Sequence, residues 1–122
     1  MYNLRDKNRE IDITQRTFTF GVRIVRLSTT IQKRTRNFVI ANQILRSGTS
    51  IGANVEEAQN CSSKKEFIRT LTIALKEGRE TLYWLKLIVE SKIIEKEKLD
   101  SLIEENIALI KILTSIIKKA KG

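Results

Sequence analysis

Apolar residues recur at steps of three and four along four segments of this 122-residue chain, and no proline interrupts any of them. That spacing lines up side chains on one face of a helix, whereas a strand needs sustained two-residue alternation. It predicts helices from about Ile13 to Lys33, Arg36 to Asn60, Lys64 to Ser91 and Glu95 to Ala120. Short polar connections make successive helices antiparallel neighbours. The expected fold is all-α: one domain over residues 1–122, an antiparallel up-down-up-down four-helix bundle, with residues 1–12 a flexible N-terminal segment.

The first helix carries two apolar stripes rather than one. Phe20, Ile24, Leu27 and Ile31 form the first, and Phe18, Val22 and Val25 form a second roughly opposite. A helix in a small bundle needs one apolar face, so the second points to cover by another subunit and to a homo-oligomer. In the second helix the row is Ile40, Ile44, Ser47, Ile51, Val55 and Ala58. It runs unbroken through Ser47-Gly-Thr-Ser-Ile-Gly-Ala53, where two glycines each cost about 1 kcal/mol of helix propensity relative to Ala. Close approach of a neighbouring helix is the expected return. Ser63-Lys-Lys-Glu66 reads as a capping box opening the third helix. The third-helix row is Phe67, Leu71, Ala74, Gly78, Leu82, Leu85 and Val89, with Ile73, Trp84 and Leu87 off to one side. Trp84 fits a bundle edge or a subunit interface. Leu99, Ile103, Asn106, Ile110, Leu113 and Ile117 form the inner row of the fourth helix, thickened by Leu102, Leu109, Ile112 and Ile116. Asn106 in that apolar row reads as a register or oligomer determinant, or as a partly exposed Asn.

Residues absent from the chain narrow its chemistry. It has no histidine, which removes Ser-His-Asp and Cys-His triads and His-ligated metals. Its one cysteine, Cys61, has no partner for an internal disulfide, which favours a reduced, cytoplasmic setting. No apolar run approaches a membrane span, and no apolar segment follows Met1 as in a signal peptide. Glu56, Glu57, Glu77 and Glu80 could in principle hold Mg²⁺, but pairing with neighbouring cations is the simpler expectation. The expectation is therefore a non-enzyme with no metal and no cofactor.

The charge is concentrated. Of the net +9, the segment from Met1 to Arg46 holds ten basic and three acidic residues, a net of +7. Eight of those ten are arginines, whose planar fork binds phosphate bidentately. Arg16, Arg23, Arg26, Lys33, Arg34 and Arg36 are the candidate phosphate contacts. With an aromatic fraction of 6%, stacking platforms for bases are scarce, so binding is expected through backbone phosphates.

Two long stretches carry a resemblance. Arg46-Ser-Gly-Thr-Ser50-Ile51-Gly-Ala-Asn54-Val-Glu-Glu57-Ala58 and Leu75-Lys-Glu77-Gly-Arg-Glu80-Thr-Leu-Tyr83-Trp84-Leu85 flank Ser63-Lys-Lys-Glu66-Phe67-Ile. Together they resemble bacterial four-helix-bundle proteins first recognised in intervening sequences of large-subunit ribosomal RNA genes. That fold class also includes the accessory variability determinant protein of diversity-generating retroelements. The resemblance implies a ring-like homopentamer, nucleic-acid binding (RNA before DNA) and, through the retroelement branch, work beside a reverse transcriptase. By position it marks Arg46, Ser50, Asn54, Glu57, Glu77 and Glu80 as polar residues of an interhelical network, the rival reading being a ligand or RNA contact. Two functions follow: a nucleic-acid-binding accessory protein, or a protein-interaction scaffold using Trp84 or the back of the first helix.

Overall fold

A computed structural model describes residues 12–122 and places four helices: α1 (Ile13–Thr35), α2 (Phe38–Ala58), α3 (Lys64–Glu90) and α4 (Lys96–Lys121). No strand occurs among the described residues, and no helix there is long and apolar enough to cross a membrane. The expectation of a flexible N-terminal segment lies outside the described residues, save for Asp12, which belongs to the helix start. Its carboxylate accepts from the Thr14 and Gln15 amides at 3.1 and 3.2 Å, capping α1.

Local chemistry sets each boundary. Arg36 adopts the left-handed conformation (φ 59°) that ends α1, and its N–H donates to the Gln32 carbonyl at 3.1 Å. Asn37 at once caps α2, its Oδ1 accepting from the Ile40 amide at 3.2 Å. Ser63 Oγ accepts from the Glu66 amide at 3.1 Å, which forms the serine half of the expected capping box. Lys118, Lys119 and Lys121 close α4, where cations complement the negative end of the helix dipole.

Each helix packs on the next in sequence, and α4 returns to α1 with the least intimate contact of the four. The core lies along the shared axis: Phe20, Ile24 and Ile31 of α1, Ile44, Ile51 and Val55 of α2, Leu71, Leu85 and Ile88 of α3, Leu109 and Leu113 of α4. Buried hydroxyls pin the helices together. Ser28 donates to the Ala41 carbonyl at 2.9 Å, and Thr81 donates to Ser47 Oγ at 3.0 Å. The Ser47–Ala53 segment is helical throughout, and its glycines are where α1 comes closest. A Cβ on Gly48 would stand 2.7 Å from Ile24 side-chain carbons, and one on Gly52 would stand 3.1 Å from the Thr17 carbonyl.

Two rows sit differently from their sequence reading. In α4 the buried residues are Leu99, Leu102, Asn106, Leu109, Leu113 and Ile117, while Ile103 and Ile110 are only half-buried. The face turned inward is thus rotated toward α1. In α3, Leu75 and Ile88 join the core while Leu82 and Val89 are half-buried. This helix packs against both α2 and α4, so its buried arc is wider than one stripe. The second stripe of α1 lies open in the protomer: Phe18 is 63% exposed and Val25 46%, with Val22 half-buried. With Gly21, Gly52 and Ala53 they form an apolar groove of about 410 Å³ between α1 and α2.

Candidate nucleic-acid interface

The loose α1–α4 edge leaves a cleft of about 390 Å³. Arg23, Arg26, Thr30 and Arg34 recur on one α1 face at helical spacing and make one wall. Lys98 of α4 stands on the other, and Leu27, Ile94, Leu99 and Leu102 form an apolar floor. Among the described residues, four cations and no carboxylate line it.

Three polar bridges tie α1 to α4 along this edge. At the far end Arg16 grips Glu105 with two donors, Nε at 3.0 Å and Nη2 at 2.6 Å. That bond raises the Arg16 pKa above its ordinary value. Arg23 donates to Ser101 Oγ at 3.0 Å. At the mouth, Arg34 donates to Glu95 at 2.9 Å, and Lys98 Nζ lies 3.6 Å from the other oxygen of the same carboxylate. The Arg34 hydrogen bond, followed by a backbone bond, lowers the Glu95 pKa to about 2. A depressed carboxylate pKa adds stability above its unfolded value and loses it as pH falls through the folded one. The Glu95 contacts therefore persist from neutral pH down into the acid range.

The six candidate cations divide. Arg23, Arg26 and Arg34 line the cleft, Lys33 lies in the last turn of α1, and Arg36 lies on the α1–α2 connection. Among the described residues, the side chains of Arg26, Lys33 and Arg36 have no hydrogen-bond or ion-pair partner. Arg16 stands apart, seven residues before Arg23 and committed to Glu105. Lys98 escaped the sequence reading because α4 begins acidic. Its one signal is its place four residues before Leu102, on the side of α4 that turns to α1.

The positions singled out by the resemblance also divide. Arg46 bridges α2 to α3: Nη1 lies 3.3 Å from Glu77, Nη2 bonds Glu80, and Glu80 in turn accepts from Trp84 Nε1 at 3.0 Å. This cluster sits at the surface, with the Arg46 side chain 49% exposed, so the arginine is not a buried charge. Ser50 and Asn54 turn back on their own helix, to the Arg46 and Ser50 carbonyls. Glu57 is exposed and offers only its carbonyl, to the Cys61 thiol at 3.7 Å. Because exposed ion pairs contribute at most about 1 kcal/mol each, Arg46→Ala, which breaks two, should lower stability by at most about 2 kcal/mol. Glu80→Ala breaks one of the two and also strips the Trp84 indole N–H of its acceptor, so the double variant should lose less than the sum of the singles. Additive losses would refute the shared role of Glu80.

Glu77 and Glu80 face a guanidinium rather than each other. No group of three or more Cys, Asp and Glu side chains among the described residues is placed to hold a metal ion. Cys61 is buried against Thr70 Oγ1 at 3.6 Å.

Comparison with known proteins bears on what this architecture is. A search of curated proteins found no significant match. One similar solved structure is a protein of unknown function from the S23 ribosomal protein family of Bacteroides thetaiotaomicron. It is 43% identical, with a TM-score of 0.86 over 88% of this chain and 99% of that one. Residues 9–115, all four helices but the end of α4, match the profile of the 23S rRNA-intervening sequence proteins. The chain therefore belongs to the 23S rRNA-intervening sequence protein family.

Proposed function

We propose that this protein is a non-enzymatic, cytoplasmic nucleic-acid binder that takes RNA ahead of DNA, gripping phosphates along the α1–α4 cleft and the α1–α2 connection. The carrying observation is the cleft lining: Arg23, Arg26, Arg34 and Lys98, with no carboxylate among the described lining residues and Glu95 only at the mouth. The net charge of +9 draws a polyanion toward it, and the family name, 23S rRNA-intervening sequence protein, supports RNA. The open Phe18–Val25 stripe supports assembly into a homo-oligomer; a pentamer would gather about five times the charge of one protomer. A reverse transcriptase as partner rests on the resemblance alone.

Fluorescence anisotropy with labelled RNA at several salt concentrations tests this. Affinity should fall steeply between about 50 and 200 mM salt as counterions are released. Arg26→Glu with Arg34→Glu should weaken binding at least about tenfold and flatten the salt dependence. Glu95→Gln should act oppositely, freeing Arg34 and Lys98, tightening binding and steepening the salt slope. No binding at the lowest salt would overturn the reading.

The exposed Phe18, Val22 and Val25 favour a second reading, a protein-interaction scaffold that uses the back of α1 or the Trp84 edge. A pull-down that retains a protein partner after nuclease treatment, with no RNA binding by the purified protein, would select it.

A further inference from the structure

Resting on that reading, we infer that the α1–α4 cleft takes an unpaired nucleic-acid strand, with bases on its apolar floor, and discriminates against duplex. The two sides of the cleft differ in chemistry. Cations stand on both walls, Arg26 and Arg34 on α1 and Lys98 on α4, with Arg34 and Lys98 sharing Glu95 at the mouth and Arg26 without a partner among the described residues, so a strand laid between the helices meets a net positive rim. Beneath them Leu27, Leu99 and Leu102, 8%, 2% and 4% exposed, close a narrow floor with no charge. Phosphate gains nothing from such a floor, whereas the face of an unstacked base does.

A duplex presents the opposite surface. Its phosphates and sugars are outermost and its bases are stacked inside, so it can touch the cationic rim but not the floor. From Arg23 to Arg34 the wall runs about 16 Å along α1, enough for a few nucleotides. Guanidinium planes add a stacking surface, and that of Arg26 is free of any partner among the described residues. Charge alone would favour the duplex, whose phosphates are about twice as dense along its axis; the apolar floor and the guanidinium planes favour the strand.

Thr30 is the residue with which to test the cleft. It lies half-buried on the α1 wall, four residues from Arg26 and from Arg34, and its hydroxyl bonds only the Arg26 carbonyl of its own helix. Thr30→Gln would fill the cleft with a neutral side chain that offers no aromatic face, while leaving every cation in place. The probes are a labelled RNA strand of about 12 nucleotides and the matching duplex, compared at one salt concentration. The strand should bind about tenfold more tightly than the duplex, and Thr30→Gln should bring the strand down to the duplex level without weakening the duplex. Equal binding of strand and duplex, or a Thr30→Gln variant that binds both as before, would overturn the inference while leaving phosphate binding intact. Failure of both probes to bind at low salt would instead remove the proposed function and the inference with it. Photo-crosslinking of a 4-thiouridine strand to the unaltered protein gives an answer independent of how the variant folds. Crosslinks should fall within residues 23–34 and 94–102, and crosslinks confined elsewhere would overturn the assignment.

Discussion

Gly48→Val should cost the bundle more stability than any other single methyl-scale change at the α1–α2 contact, and Gly48→Ala should already be destabilising. A Cβ at Gly48 would lie 2.7 Å from both Ile24 Cγ1 and Cγ2 and 3.0 Å from Cδ1. Those atoms belong to a fully buried, β-branched side chain with one preferred helix rotamer, so it cannot swing aside. Relief must come from separating the helices. Overpacking of this kind costs about 1–3 kcal/mol, against up to about 1 kcal/mol regained from helix propensity when Gly becomes Ala. Valine adds two further methyls to the same contact and no propensity gain over Ala. Ile24→Ala should partly rescue Gly48→Ala, so that the double variant loses less than the sum of the singles. Gly21→Ala is the control: nothing among the described residues lies within 4 Å of the place its new methyl would take, and the variant should gain up to about 1 kcal/mol as a protomer. Chemical denaturation measures all five variants. A Gly48→Ala variant as stable as Gly21→Ala would show that the small residue is not there for packing. Loss of oligomer in Gly21→Ala would place the α1–α2 groove at a subunit contact.

Much of this was readable from spacing. Helix boundaries follow from residues whose side chains act locally, such as Asn37 and Ser63, and the helices begin and end within two residues of where periodicity put them. The Ser47–Ala53 segment announced a close approach because glycines in an unbroken apolar row need a reason. What spacing did not reveal is pairing across the bundle. Arg16 and Arg34 look equivalent in sequence, and only the antiparallel return of α4 sets Glu105 against one and Glu95 against the other. Lys98 entered the cleft for the same reason. Asn54 and Ser50 looked like interhelical donors because polar residues on small-residue faces can reach a neighbour. A short side chain in a helix can also satisfy itself on the carbonyl four residues back, and here both do. The α4 row was misplaced by a fraction of a turn because apolar residues flank it on both sides, which leaves its rotation to tertiary packing.

Asn106 should give the widest spread of outcomes from one position. It is fully buried, its Nδ2 donates to the Gly78 carbonyl at 3.0 Å, and its Oδ1 has no hydrogen-bond partner among the described residues. The Gly78 carbonyl lies inside α3 and keeps its helical acceptor role without this bond, so removing the amide strands nothing. Where no buried partner is left unsatisfied, exchanging a polar side chain for an apolar one of similar shape avoids the desolvation cost of its unmet oxygen. Asn106→Leu should therefore hold or raise the unfolding free energy, by up to about 1–2 kcal/mol. Asn106→Asp should do the reverse: it puts a carboxylate in the core facing a carbonyl oxygen, with no cation beside it. Such a change costs about 3–5 kcal/mol when ionised. Burial would raise that carboxyl's pKa above its unfolded value, so the sign with pH is fixed. The unfolded chain releases the proton first as pH rises, and the loss of stability grows from there upward. The N106D protein should accordingly be weakest near neutrality and recover as pH falls toward about 4. Denaturant melts of both variants at about pH 7 and at about pH 5 read this directly. If Asn106→Leu proved as damaging as Asn106→Asp, the amide would be holding the α3–α4 register through its bond to Gly78, and the unsatisfied oxygen would be incidental.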